Sequence, residues 1–322
     1  MPLTDHVAIV SLTSDIPTRL ILQVAAAIQK QITRDFAPYW GTRVTVDAFE
    51  DLESVPSDYH PIVIFSAGHE LVGQLEYAIG EQRAAEIVDD FERERMSGLH
   101  MNSYTRQPFA LVAATDTWTV TLSHETLEMI TDPFGNRLIA AAHPLDPRRR
   151  VRYLLEVCDP CQAVWYPVNG VPVCDFYCPR YFDPVLPDRD RYSFTGAIQR
   201  PLQILEGGYL SWIDPGDSGL YQLGAGETVE TLVADLDDLK RSTAALRTIV
   251  DTSALIPRPT ARTLRPANTA FAASGAVEAV AEASRGTGLR VAQAIRSLAA
   301  EDFPADEPRL PRTRGGAEPA AE

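Results

Sequence analysis

The first fifty residues alternate strand-length apolar runs with one amphipathic helix, and this pattern constrains the fold more than any other feature of the chain. Residues 6–12 (HVAIVSL) are apolar and rich in β-branched side chains, as in a buried strand. Apolar side chains then recur at every fourth position, at Leu20, Val24, Ile28 and Ile32. Because this is the spacing of one helix face, residues 17–36 are predicted to form a helix that packs one apolar stripe against a sheet.

The pattern continues with further strands and a second long helix. Strands are predicted at residues 43–49, 61–66, 99–104 and 109–114. Residues 70–96 are charged and predict one or two surface helices between these strands. Another helix is predicted over residues 117–132, where Pro133 and Gly135 end it. The chain is therefore expected to adopt an α+β fold.

Charge and hydropathy exclude several classes of protein. The 322 residues include 29 Lys and Arg against 44 Asp and Glu, which gives a net charge of −15. Nucleic acids and anionic membranes bind basic surfaces, so neither is expected as a partner. No segment reaches the roughly 18 consecutive apolar residues of a membrane span, and the N-terminus lacks the basic region and cleavage site of a signal peptide. We therefore expect a cytoplasmic protein.

Candidate ligands for a metal ion lie within the helix predicted over residues 117–132. This helix contains the sequence HETLE at positions 124–128, and positions four apart lie on one helix face. His124 and Glu128 can therefore reach a single ion, with Glu125 placed to act on a water molecule beside it. A solvated helix face is the alternative, because Glu is common in helices.

This pattern resembles the HExxH signature of the zincin-type zinc metallopeptidases, with Glu128 in place of the second histidine. The segments SHETLEMITDPFGNR and YLLEVCDPC are also similar to a set of uncharacterised bacterial proteins associated with metallopeptidases, and the similarity covers residues 7–221. The resemblance implies a zincin-like mixed sheet with a backing helix and an active-site helix. It further implies a zinc cofactor, His124 and Glu128 as ligands, Glu125 as general base, and a protein or peptide substrate along the edge strand 99–104.

A third ligand is expected from later in the chain. Asp132 lies about 12 Å beyond His124 on a continuous helix, which is too far for both to bind one ion. His143 stands beside a proline, where a lone histidine is more often a surface residue. Glu156 ends an apolar, strand-like run that would hold it rigidly, so we predict Glu156 as the third ligand and Asp159 as the alternative. Such a carboxylate-rich set also suits manganese or iron, with zinc preferred.

All four cysteines fall within one short segment. They are Cys158, Cys161, Cys174 and Cys178, with the spacing C-x2-C-x12-C-x3-C. Two close pairs separated by a short loop are typical of a structural tetrathiolate zinc site. Free buried thiols and disulfides are the alternatives. The segment therefore predicts a possible second zinc ion, which would fix the backbone next to Glu156.

Composition divides the chain into four predicted segments. Residues 1–143 are expected to form the zincin-like N-terminal subdomain. Residues 144–222 are rich in Pro, Tyr, Trp and Cys and predict a loop-rich subdomain that carries the third ligand. Residues 227–250 show leucine and valine at helical spacing, so a helical extension is predicted over 223–302. The last segment, 303–322, has almost nothing to bury and predicts a disordered tail.

Two functions fit these features. The first is a metal-dependent endopeptidase that hydrolyses peptide bonds, with Glu125 as general base. The second is a catalytically silent protein that keeps a zincin fold and acts as a scaffold. It would assemble through its C-terminal helices and could form homo-oligomers. Stoichiometric metal at His124, beyond any held by the cysteines, separates the two hypotheses. A nucleotide enzyme is not expected, because the sequence has no glycine-rich phosphate loop.

Overall fold

The computed structural model describes residues 5–187, 190–242, 244–253 and 260–267. Within these ranges the predicted α+β fold class is confirmed, because three β-sheets pack with helices. None of the helices in these ranges combines the length and the apolar character needed to cross a membrane.

The first sheet is mixed and has five strands. They are β1 (Asp5–Ser11), β2 (Val44–Phe49), β3 (Tyr59–Phe65), β4 (Gly98–Asn102) and β5 (Pro108–Ala113). Their order is β2-β1-β3-β5-β4. β1 pairs in parallel with β2 and β3, and β5 pairs in parallel with β3, whereas β4 runs antiparallel to β5. The strand predicted at 99–104 is therefore confirmed at the sheet edge, as β4.

Helices cover both faces of this sheet. One face carries α1 (Thr18–Lys30) and α5 (Trp118–Thr131), and the other carries α3 (Val72–Ile79) and α4 (Glu81–Glu92). Side chains alternate along β3, so that Ile62 and Ile64 face α1 and α5, while Val63 and Phe65 face α3 and α4. α1 continues into a π-helical turn (Gln31–Phe36) and α2 (Ala37–Trp40). The helices predicted over residues 17–36 and 117–132, and two in the charged segment, are confirmed.

The chain after α5 forms two further sheets. The second sheet contains β6 (Leu138–Ala142), β7 (Arg150–Leu154), β10 (Tyr209–Ile213), β11 (Leu220–Gly224) and β12 (Thr231–Ala234), in the order β12-β11-β10-β7-β6. The third sheet is the hairpin of β8 (Val164–Val168) and β9 (Val171–Cys174), to which β13 (Arg265–Pro266) adds in parallel. Short 3₁₀ turns lie at Gly68–Glu70, Asp159–Cys161 and Pro179–Phe182. The segment 144–222, which was predicted to be loop-rich, therefore contains β7 to β10 and the start of β11, but the described residues between β9 and β10 form no named strand.

The strands of this segment lack the usual sequence signal for a physical reason. β10 is buried along its whole length, so its residues do not alternate between apolar and polar. β8 carries Pro167 in its interior, and proline normally argues against a strand. Sequence periodicity therefore underestimated the β content here.

The continuous helix predicted over 227–250 is wrong. The segment instead contains β12, then α6 (Leu236–Arg241) and α7 (Leu246–Thr252). Asp235 starts a new helix, because its side chain accepts a hydrogen bond of 2.8 Å from the backbone N–H of Asp238. Residues 268–302 of the predicted extension and the predicted tail 303–322 lie outside the described residues.

Candidate metal centre

Helix α5 is buried on all sides over its last ten residues. β4 and β5 pack against one side of it and β9 against another. Its ionisable side chains are thus removed from water, with exposed fractions of 5% for His124 and 0% for both Glu125 and Glu128. Because charged groups are almost never buried without partners, these side chains require nearby compensating groups. The alternative of a solvated helix face does not hold.

Three donor atoms from α5 and the loop after β7 surround one point. His124 Nε2 lies 3.0 Å from Glu128 Oε2 and 3.4 Å from Asp159 Oδ1. All three donor atoms lie within 4.8 Å of one another. Nitrogen and oxygen donors held at about 2.0–2.2 Å by a tetrahedral ion are themselves about 3.3–3.6 Å apart. The two distances from His124 Nε2 are therefore close to those between ligands of one ion.

Asp159 reaches this point because the chain turns sharply after β7. It begins the 3₁₀ turn Asp159–Cys161, and the backbone N–H of Cys158 donates a hydrogen bond of 3.0 Å to Glu128 Oε1. This bond ties the turn to α5. The geometry thus favours Asp159, the predicted alternative, as the partner of His124 and Glu128. Glu156, the residue chosen from sequence, lies with a different histidine, His100, beside Glu128.

A buried arginine that was not predicted from the sequence lies among these carboxylates. Arg247 on α7 is fully buried, with Nη1 2.6 Å from Asp159 Oδ2 and Nη2 3.1 Å from Glu128 Oε2. Nη1 also lies 3.3 Å from Glu156 Oε2, and Nε lies 2.9 Å from Asp251 Oδ2. Arg247 is 88 residues from Asp159 in the chain. No local pattern around Arg247 marks it as a partner of this site.

Glu125 faces β4 rather than the three-donor set. Its Oε2 lies 3.3 Å from Nδ1 of His100, which is 1% exposed. His100 is a second site residue that the sequence analysis did not single out. The strand alternation places its side chain on the α5 face of the sheet, but nothing in the sequence distinguishes it from an ordinary core histidine.

A small cavity lies beside Glu125 and His124. It measures about 20 Å³, and its other walls include Thr121, Gln162 and Leu264. A cavity needs roughly 10–15 Å³ to hold one water molecule, so this one has room for about one. The cavity can therefore hold a water molecule beside Glu125, as the predicted role of Glu125 as general base requires. A peptide does not fit unless the cavity wall moves.

Burial and charge shift the pKa values of the groups on α5. Burial lowers the pKa of His124, but the carboxylates of Glu128 and Asp159 outweigh it and raise the pKa well above its usual value. Burial raises the pKa of Glu128, but Arg247 and His124 outweigh it and hold this pKa far below the usual range. Both groups are therefore charged at neutral pH. Burial raises the pKa of Glu156 well above its usual value, and the carboxylates of Glu128 and Asp159 add to this shift while Arg247 opposes it.

The four cysteines are free and buried, but they do not form one donor set. Cys158 and Cys174 each offer a sulfur within 4.8 Å of the other and of a His124 nitrogen. Cys161 and Cys178 belong to no group of three such donors within the described residues. The structure thus brings two of the four sulfurs to His124, and it does not assemble the predicted tetrathiolate arrangement.

Gly98 on β4 provides a test of how tightly Glu125 is held. A Cβ at this position would lie 2.5 Å from Thr121 Cγ2 and 2.6 Å from Glu125 Oε1. We expect Gly98→Ala to lower the free energy of unfolding by about 1–3 kcal/mol, measured by urea denaturation, because the core must shift. Gly73→Ala is the control, since nothing lies within 4 Å of its Cβ. Equal stability of Gly98→Ala and the wild type would contradict this packing.

Comparison with known proteins adds no identification. No protein-family model, no curated protein and no solved structure matches the chain. The resemblance to zincin-type metallopeptidases therefore rests on the two sequence segments quoted above. Function is inferred below from the donor atoms, their burial and their charges.

Proposed function

We propose that the protein is a metal-dependent hydrolase that cleaves peptide bonds, with a divalent ion held by His124, Glu128 and Asp159. The observation that supports this proposal is the spacing of their donor atoms, 3.0 and 3.4 Å from His124 Nε2, in a fully buried site. One imidazole and two carboxylates suit zinc, and they also suit manganese or iron. When bound, the ion would polarise the scissile carbonyl group and lower the pKa of water.

Glu125 is the proposed general base. It lines the cavity that has room for about one water molecule. Burial raises the pKa of Glu125, but His100, His124 and Arg247 outweigh it, so this pKa is lowered and the side chain is a carboxylate at neutral pH. The carboxylate can take a proton from water and deliver it to the leaving amine. His100 Nδ1, 3.3 Å from Oε2, fixes its orientation.

Arg247 is proposed to adjust the charge of the ligands. Two carboxylate ligands neutralise a divalent ion and weaken its action on water. The guanidinium of Arg247 lies 2.6 Å from Asp159 and 3.1 Å from Glu128 and draws negative charge away from both ligands. Contacts of this kind also hold ligands in place. Arg247 is therefore a positioning residue for the proposed reaction.

A catalytically silent scaffold is the second candidate, and the size of the cavity favours it. A cavity of about 20 Å³ cannot admit a peptide. Hydrolysis would require movement of the cavity wall, which includes Leu264 directly before β13. β13 adds only two residues to the third sheet, through Val164 and Trp165. Such a short pairing is a weak restraint, so the hydrolase remains our first proposal.

The raised pKa of His124 makes metal binding depend on pH. His124 is protonated at neutral pH, and an ion that binds Nε2 must displace this proton. We expect the apparent zinc affinity to rise about tenfold per pH unit until the pH reaches the folded pKa of His124. Calorimetry at pH 7 in buffers of different ionisation enthalpy should show release of about one proton per ion. An affinity that does not change with pH would contradict the assignment of His124.

The function is tested with the full chain, loaded with zinc and incubated with a mixture of unstructured peptides that is analysed by mass spectrometry. We expect new peptide termini whose amount increases with incubation time. This activity should be lost in His124→Gln and after the metal is removed with a chelator. His143→Gln is the matched control, because His143 is also buried but lies against Trp212. Zinc bound at His124 without any cleavage would favour the scaffold.

A further inference from the structure

His100 belongs to a second group of metal-type donors beside the first. One donor atom each of His100, Glu128 and Glu156 lie within 4.8 Å of one another. The three residues come from β4, from α5 and from the loop after β7, and all are at least nine-tenths buried. Glu128 belongs to both donor groups. The second group therefore adjoins the proposed metal site.

The imidazole of His100 is oriented as metal-binding imidazoles are. Such rings usually donate one N–H to a carboxylate and bind the ion with the other nitrogen. Nδ1 of His100 faces Glu125 Oε2 at 3.3 Å, whereas Nε2 is buried and has no hydrogen-bond partner in the described part of the chain. If Nδ1 carries the proton toward Glu125, the buried Nε2 keeps an unused lone pair that can bind an ion.

Glu156 lacks the hydrogen bonds that a buried carboxylate normally accepts. Neither of its oxygens accepts a hydrogen bond from the described residues. Its contact with Arg247 is an ion pair of 3.3 Å to Oε2 alone. A buried carboxyl group without such partners either keeps its proton, as the raised pKa of Glu156 indicates, or binds a metal ion. Glu156 therefore has unused capacity for a cation.

Acidic groups outnumber basic ones in this part of the core. Five buried carboxyl groups contact Arg247, His100 or His124, namely Glu125, Glu128, Glu156, Asp159 and Asp251. A cation at the second group would contact two of these acidic groups, Glu128 and Glu156.

We propose that His100, Glu128 and Glu156 bind a second divalent cation, with Glu128 shared between this site and the site at His124. This inference rests on the proposed function in one respect, because it takes His124, Glu128 and Asp159 as the ligands of the first ion. Arg247 does not compete for these ligands, because each carboxylate oxygen has two lone pairs and can accept an N–H while it binds an ion. One imidazole and two carboxylates suit Mn²⁺ as well as Zn²⁺.

The test is the number of Mn²⁺ ions bound by the full-length, chelator-treated protein, measured by equilibrium dialysis. Mn²⁺ is chosen because thiolates select softer metals, so the cysteines do not add to the count. We expect two ions per chain in the wild type and in the control His143→Gln. His100→Gln and Glu156→Gln should each bind one ion. Two variants are used because either could fail to fold, which circular dichroism would reveal.

A spectroscopic readout supports the count. Two Mn²⁺ ions that share Glu128 should be magnetically coupled, and His100→Gln should return the spectrum of an isolated ion. Suppose that the wild type binds one ion, which is retained in His100→Gln and lost in His124→Gln. This result would overturn the second site and leave the first site intact. One ion lost in His100→Gln but retained in His124→Gln would contradict the proposed function instead. A protein that binds no ion would contradict both.

Discussion

Replacing Arg247 by methionine is expected to lower the free energy of unfolding of the metal-free protein by about 3–5 kcal/mol. The guanidinium is fully buried and lies within 3.1 Å of Glu128, Asp159 and Asp251. Without it, these three buried carboxylates lose a cation that lies against all of them, and breaking buried ion pairs by removing one partner is strongly destabilising. Urea denaturation in the presence of a chelator measures the loss.

Arg241→Met is the control for this variant. Arg241 forms an ion pair of similar length, 2.8 Å, with Asp238, but both side chains are more than half exposed. Its loss should cost at most about 1 kcal/mol. The effect of Arg247→Met should also shrink as the pH falls toward 4, because protonation removes the unpaired charges. A loss for Arg247→Met no larger than that for Arg241→Met would show that Arg247 does not hold the cluster together.

Replacing Glu125 by glutamine is expected to reduce peptide hydrolysis by roughly 10²–10⁴-fold. Glutamine has the shape of glutamate but cannot take a proton from water. Glu125 lies outside both three-residue donor groups that contain Glu128, so the ions should remain bound. The initial rate of peptide cleavage and the metal content are measured on the same preparation.

The control for this variant is Glu86→Gln, which changes an exposed glutamate on α4. It should leave both the cleavage rate and the metal content unchanged. Unchanged cleavage in Glu125→Gln would remove Glu125 from the mechanism. A fall in metal content would instead make Glu125 a ligand.

Local features of the site could be predicted from sequence, because helix geometry fixes them. His124 and Glu128 are four residues apart, and the structure places their side chains 3.0 Å apart. The edge position of β4 also agrees with the expectation for residues 99–104. Such relations depend on one helix or on neighbouring strands, where backbone geometry determines which side chains meet.

Features that depend on distant parts of the chain could not be predicted. Glu156 was favoured as third ligand because a strand would hold it, but β7 ends at Leu154 and the following turn carries Asp159 to His124 instead. Arg247 comes from a segment whose apolar spacing imitated one long helix. The spacing of apolar residues shows neither where a strand ends nor which distant charged side chain a buried residue will contact.

The most direct test of the metal centre is an anomalous difference map from crystals of the zinc-loaded protein, recorded at the zinc absorption edge. We expect a peak about 2 Å from His124 Nε2, Glu128 Oε2 and Asp159 Oδ1. We also expect this peak to disappear in His124→Gln while the fold is retained. A zinc-loaded crystal with no peak at these atoms, or with zinc bound only by the cysteine sulfurs, would contradict the proposed metal centre.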